Sequence, residues 1–92
     1  MIASFHDKET EQLYQAGTSK RFAAIAKVAL RKLDMLDAAM ELQDLRSPPG
    51  NRLEALARDR SGQHSIRIND QWRLCFIWRD GAAHRVEITD YH

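Results

Sequence analysis

Apolar positions change period along this chain. From Ser19, the residues Phe22, Ile25, Ala29, Leu33, Leu36 and Met40 fall three or four apart, one stripe of an amphipathic helix. Lys20, Arg21, Lys27, Arg31, Asp34 and Glu41 lie largely off that stripe. The spacing predicts a helix that bends or breaks near Asp37, and "SPPG" at 47–50 ends the helical region. Before it, a short lead-in precedes a first helix, which Asp7 caps, acids open and Gly17 stops.

After Gly50 the period falls to two. In "QHSIRI" Ile66 and Ile68 share one face, while Ser65 and Arg67 take the other. "NDQ" turns the chain into "WRLCFIW", apolar at nearly every position, as expected of a strand covered on both sides. Asp80-Gly81 is the preferred two-residue hairpin signal, and "HRVEIT" alternates again. The pattern predicts a single α+β domain over residues 1–92, with N-terminal helices packed on a small antiparallel sheet. Residues 51–62 are ambiguous. Leu53 and Leu56 anchor either a short strand or a helical turn, and the rest reads as a loop, with 54–62 the candidate for disorder.

Composition narrows the class. Ninety-two residues with 43% hydrophobic and 29% charged side chains suit one small globular domain. No apolar run is long enough to cross a bilayer, and "MIASFHDKETEQ" lacks the pattern of a secretory signal, so no membrane association and a cytoplasmic location are expected. Cys75, the lone cysteine, reads as a buried thiol acting as a small hydrophobe. The net charge of +1 conceals an asymmetry: residues 1–45 carry −1 and residues 46–92 carry +2, and every cation of the second half is arginine. Arginine presents a planar fork of donors matched to phosphate and carboxylate.

Candidate chemistry is sparse. His6, His64, His84 and His92 are scattered without ligand spacing, so no metal site is expected, and no glycine-rich phosphate loop or nucleophile elbow is present. What remains is the ending Asp90-Tyr91-His92 beside strand-borne arginines. RNA suits such a group. Its 2′-hydroxyl can attack the neighbouring phosphate when one group removes the proton, another protonates the leaving 5′-oxygen and a cation holds the phosphate. His92 supplies an imidazole able to serve as acid or base, Tyr91 a ring for stacking on a base, and Arg73 a phosphate clamp.

A resemblance sharpens this reading. "SPPGNRLEALARDRSGQHSIRINDQWRLCFIW" followed by the closing "DYH" resembles the HigB toxins of the RelE/ParE superfamily, most nearly the GraT branch, over essentially the whole chain. "R.GQHSIR.NDQWR" at 60–73 and the final triplet are its most specific elements. The resemblance implies a RelE/HigB-like RNase toxin fold and a ribosome-dependent messenger-RNA endonuclease that needs no metal or other cofactor. The implied partners are a HigA-type helix-turn-helix antitoxin, the 70S ribosome with messenger in its A site, and operator DNA reached through the antitoxin. It places Asp90, Tyr91, His92 and Arg73 in the active site, and Arg58, Arg60 and Arg67 on substrate or ribosomal RNA. Some relatives carry a histidine and, three residues on, a lysine where this chain has Glu54 and Ala57. Glu54 is therefore the candidate second acid–base group. Two alternatives stay open: a non-catalytic, ParE-like inhibitor of DNA gyrase, and a weakly active toxin serving mainly as its antitoxin's co-repressor.

Overall fold

A computed structural model describes residues 1–90; Tyr91 and His92 lie outside the described residues. The first helix, α1 (Lys8–Ala16), begins where Asp7 accepts a hydrogen bond from the Thr10 backbone N–H at 3.0 Å. It ends at Gly17, whose φ of 78° is the left-handed conformation that suits a residue without a Cβ. A single 3-10 turn (Ala23–Ile25) then leads into α2 (Ala26–Ala38). The helical stripe predicted from Ser19 is thus helical in full only from Ala26.

The break predicted near Asp37 falls at Ala38, where α2 ends, so Met40 lies two residues beyond the helix. Ala39 is extended, and Asp44 accepts from the backbone N–H groups of Met40 and Glu41 at 2.9 and 3.0 Å, opening a 3-10 turn over Leu42–Arg46. These two bonds hold the Asp44 carboxyl below the usual carboxylate range. The chain having left the helix, Met40 does not join the core: it is 81% exposed, while Leu45 is buried in its stead.

Four antiparallel strands follow in sequence order: β1 (Glu54–Ala55), β2 (His64–Arg67), β3 (Trp72–Arg79) and β4 (Ala82–Asp90). Asp80 and Gly81 both have positive φ, the two-residue turn whose twist matches the strands it joins. The ambiguous 51–62 stretch resolves into β1 and a 3-10 turn at Arg58–Arg60. Ahead of α1, Ile2 and Phe5 bridge in parallel to Ala83 and Val86, covering the β4 edge, a pairing the lead-in did not signal.

The two helices bury Leu13, Leu33 and Leu36 against Ile66, Leu74, Phe76 and Ile88 on one side of this sheet. Trp72 closes the end of the layer with its ring edge-on to Phe22, 5.6 Å between centroids. Full burial of such side chains contributes about 1.5–3 kcal/mol each before the entropy of ordering is subtracted. One face of the sheet is committed to the core. The opposite face carries Ser65, Arg73, Glu87 and Thr89.

Candidate active site

Strand register decides which side chains share that face. Glu54, Ser65, Cys75 and Glu87 form one cross-strand row; Arg67, Arg73 and Thr89 form the next. Alternation along the strands places both rows away from the helices. Arg73 is only 8% exposed, and its guanidinium is held through Nε and Nη2. Its Nε donates to Ser65 Oγ at 2.8 Å and Nη2 to the Arg52 carbonyl at 2.8 Å, with a longer bond to the Ser65 carbonyl at 3.4 Å. Glu54 Oε1 lies 3.2 Å from the same Nη2 and is half exposed. A nearly buried cation needs such acceptors, because an uncompensated one is expelled or neutralised. The result is a guanidinium with a fixed plane beside a carboxylate that reaches solvent. Sequence reading picked out Arg73 and Glu54 separately; the structure brings them together as an ion pair.

The other predicted residues are placed as follows. Arg67 stands across from Arg73 and is ion-paired with Asp70. Arg58 is exposed, its backbone in the left-handed region at φ 56°. Arg60 is tied down: its Nη1 donates to Gln63 Oε1 and Glu87 Oε1, both at 3.1 Å. Arg60 thereby ties the turn before β2 to β4, at Glu87, which lies across from the buried Cys75 of the central strand. Asp90 lies across from Trp72, on the strand position alternate to Thr89, and accepts from Gln71 Nε2 at 3.1 Å. The register therefore sets Arg73, Glu54 and Arg67 on one face, with Arg60 bonded to Glu87 of that face, and starts Asp90 toward the other. Tyr91 and His92, both predicted site residues, lie outside the described residues.

Burial pushes the Cys75 thiol up from its ordinary range; Thr89, Arg60 and Arg73 pull it back and Glu87 pushes the same way. A raised folded value means the thiol favours the folded state at neutral pH. That contribution is complete below the unfolded thiol's value, roughly pH 8.5, and is lost as pH rises toward the folded one. A thiol reagent at pH 7.5 is accordingly expected to label Cys75 only at the rate of unfolding, and labelling of the native chain within seconds would contradict this.

Sequence reading missed a neighbouring cleft of about 370 Å³, lined by His6, Asp59, Arg60, Gln63, Arg85 and Glu87. Arg85 Nη2 donates to His6 Nδ1 at 3.0 Å, and His6 Nε2 faces Glu87 Oε2 at 3.8 Å. Arg85 reaches it through a bulge in which Arg85 and Val86 together oppose Phe76, with Arg85 at φ 53°. Nothing in the alternation of "HRVEIT" signals that extra residue. Ser65 and the Arg52 carbonyl, the acceptors that orient Arg73, were missed as well; a polar residue preceding Ile66 was a signal for the first, and a backbone carbonyl leaves none. Among the described residues no group of His, Cys, Asp and Glu could hold a metal, and no helix is long and apolar enough to cross a membrane.

The helix-on-sheet architecture is that of the RelE-like toxins. Solved structures with the same fold include a YafQ variant from E. coli (TM-score 0.62, 11% identity, covering 98% of this chain and 93% of that one). A YoeB–YefM complex from Staphylococcus aureus aligns at TM-score 0.58 and 20% identity, covering 100% and 98%. The family model for the RelE-like toxin of the type II toxin–antitoxin system HigB matches residues 3–92. Toxin HigB-1 of Vibrio cholerae is 46% identical over 85 residues, 90% of each chain, and Endoribonuclease HigB of Proteus vulgaris is 30% identical over 93 residues and the whole of both. The chain belongs to the HigB family. As the toxin of a type II pair, it has an antitoxin for a partner.

Proposed function

We propose that this chain is a ribosome-dependent endoribonuclease that arrests translation by cutting messenger RNA in the A site. It acts as a single domain in the cytoplasm and is silenced by a HigA-type helix-turn-helix antitoxin, through which it reaches operator DNA. The observation that carries the reading is the Arg73 guanidinium, nearly buried, held in one plane and paired with the half-exposed Glu54 on the sheet face away from the helices of a HigB-family protein.

The chemistry follows from those groups. A base takes the proton of the 2′-hydroxyl, whose oxygen bonds to the adjacent phosphorus. The bond to the 5′-oxygen breaks, and an acid returns a proton to that oxygen. Charge gathers on the phosphate oxygens in between, and Arg73 is placed to offset it with donors already oriented. His92 and Glu54 are the two proton carriers. Tyr91 stacks on a base, Asp90 orients its neighbours, and Arg58, Arg60 and Arg67 hold RNA. With Arg60 engaged by Glu87 in the free protein, its contribution requires exchange of that carboxylate for a phosphate. Positioning by the ribosome supplies what a small, near-neutral protein does not: a strand held in line for attack.

Induction of the chain in growing cells, with sequencing of messenger 5′ ends, tests the proposal. Translation arrest with new ends inside translated frames is expected. DNA-damage signalling with intact message would instead mark a gyrase inhibitor. Unimpaired growth with altered operator binding by the antitoxin would mark a co-repressor, a reading to which the Glu54 carboxylate beside Arg73 lends some physical sense, since it offsets the cation's charge.

A further inference from the structure

Lys32, on α2, is buried at 7% exposure, and its ammonium donates to the amide oxygen of Asn51, itself fully buried. No carboxylate pairs with Lys32 among the described residues, and burial, then Arg31 and Arg67, push its pKa down. A charged side chain meeting a neutral amide in the core is a costly choice where a methionine would fill the same space. Asn51 in turn donates to the Leu45 carbonyl at 3.1 Å and the Ser47 carbonyl at 3.3 Å, and its backbone N–H to the Pro48 carbonyl at 3.0 Å. These bonds set the 3-10 turn Pro49–Asn51 and deliver the chain to Arg52, a non-glycine residue at φ 46° whose carbonyl accepts from Arg73 Nη2 at 2.8 Å. A left-handed residue persists where its surroundings determine it, and here they determine the direction of one carbonyl.

We infer that Lys32 and Asn51 are positioning residues for Arg73: a buried relay from the helical layer that aims the Arg52 carbonyl and so fixes the guanidinium plane. The inference rests on the proposed nuclease reading, because it is the aim of Arg73 at a phosphate that the relay serves. It makes the helix–sheet interior part of the catalytic apparatus without touching substrate.

A double-mutant cycle separates this from a role in folding alone. Asn51→Asp keeps an acceptor for the ammonium but cannot donate to the two carbonyls. Its single-turnover cleavage of messenger on programmed ribosomes is expected to be about tenfold slower, with ribosome affinity unchanged. In an Arg73→Ala background the same substitution should cost nothing further. Equal losses in both backgrounds, or a wild-type rate for Asn51→Asp while Arg73→Ala is slow, would overturn the relay and leave the site reading standing. A wild-type rate for Arg73→Ala would remove both. Should Asn51→Asp unfold below the assay temperature, Lys32→Met enters the same cycle with the same outcomes. The Arg73 Nε–H resonance of the folded fraction gives the independent readout: it should shift and exchange faster in either variant, and an unchanged signal would count against the relay.

Discussion

Arg73→Ala is expected to slow messenger cleavage by about 10²–10³-fold, the usual loss when one oriented donor to a developing oxyanion is removed. The size follows from how Arg73 is held. Ser65 and the Arg52 carbonyl fix the guanidinium before substrate arrives, so no reorganisation is needed during the reaction. Arg73→Lys keeps the charge but offers no fork, and it should recover only part of the rate. Stability is expected to move differently. Alanine leaves the Glu54 carboxylate without this partner, but Glu54 is half exposed and water can take over, so the folded state survives for the assay. Single-turnover rates paired with thermal unfolding of each variant check both halves of the expectation.

His92→Gln is expected to cost about 10²–10⁴-fold, the range for removing one proton carrier. Glutamine can still donate and accept a hydrogen bond, so a loss of this size would report proton transfer rather than binding. Glu54→Gln should cost less than His92→Gln, for the same substitution that removes a proton acceptor also releases Arg73 from its carboxylate. Phosphate would then meet a less compensated cation and bind more tightly, offsetting part of the loss. Cleavage rates and ribosome affinities measured for the two variants side by side distinguish the effects: a fall in rate for both, with tighter binding for Glu54→Gln alone.

Much of the fold is legible where one local rule acts alone. Asp7 and Gly17 bound the first helix as cap chemistry requires, and Asp80-Gly81 gives the expected two-residue turn. Ile66 and Ile68 fall in the core as alternation demands. Legibility fails where a side chain competes with periodicity. Met40 continues the helical stripe on paper, but Asp44 captures its backbone N–H and the chain departs. The parallel bridges at Ile2 and Phe5 depend on a distant partner, β4, and no local pattern encodes them.

The site divides in the same way. Arg73 and Glu54 stand out by type and by resemblance, but their ion pair depends on β1 pairing with β2 in a register that two residues define. The acceptors that orient Arg73 include a main-chain carbonyl, invisible to any reading of side chains. The Arg60–Glu87 contact likewise joins the turn before β2 to β4, and no local pattern signals that pairing.

The central claim is that Arg73 stabilises cleavage led by a ribose hydroxyl. Its most direct test is single-turnover cutting, on programmed ribosomes, of a messenger carrying either an ordinary or a 2′-deoxy nucleotide before the scissile phosphate. The account predicts that wild-type protein cuts the ordinary strand, that Arg73→Ala cuts it about 10²–10³-fold more slowly, and that neither cuts the deoxy strand. Cutting of the deoxy strand, or a wild-type rate from Arg73→Ala, would contradict it.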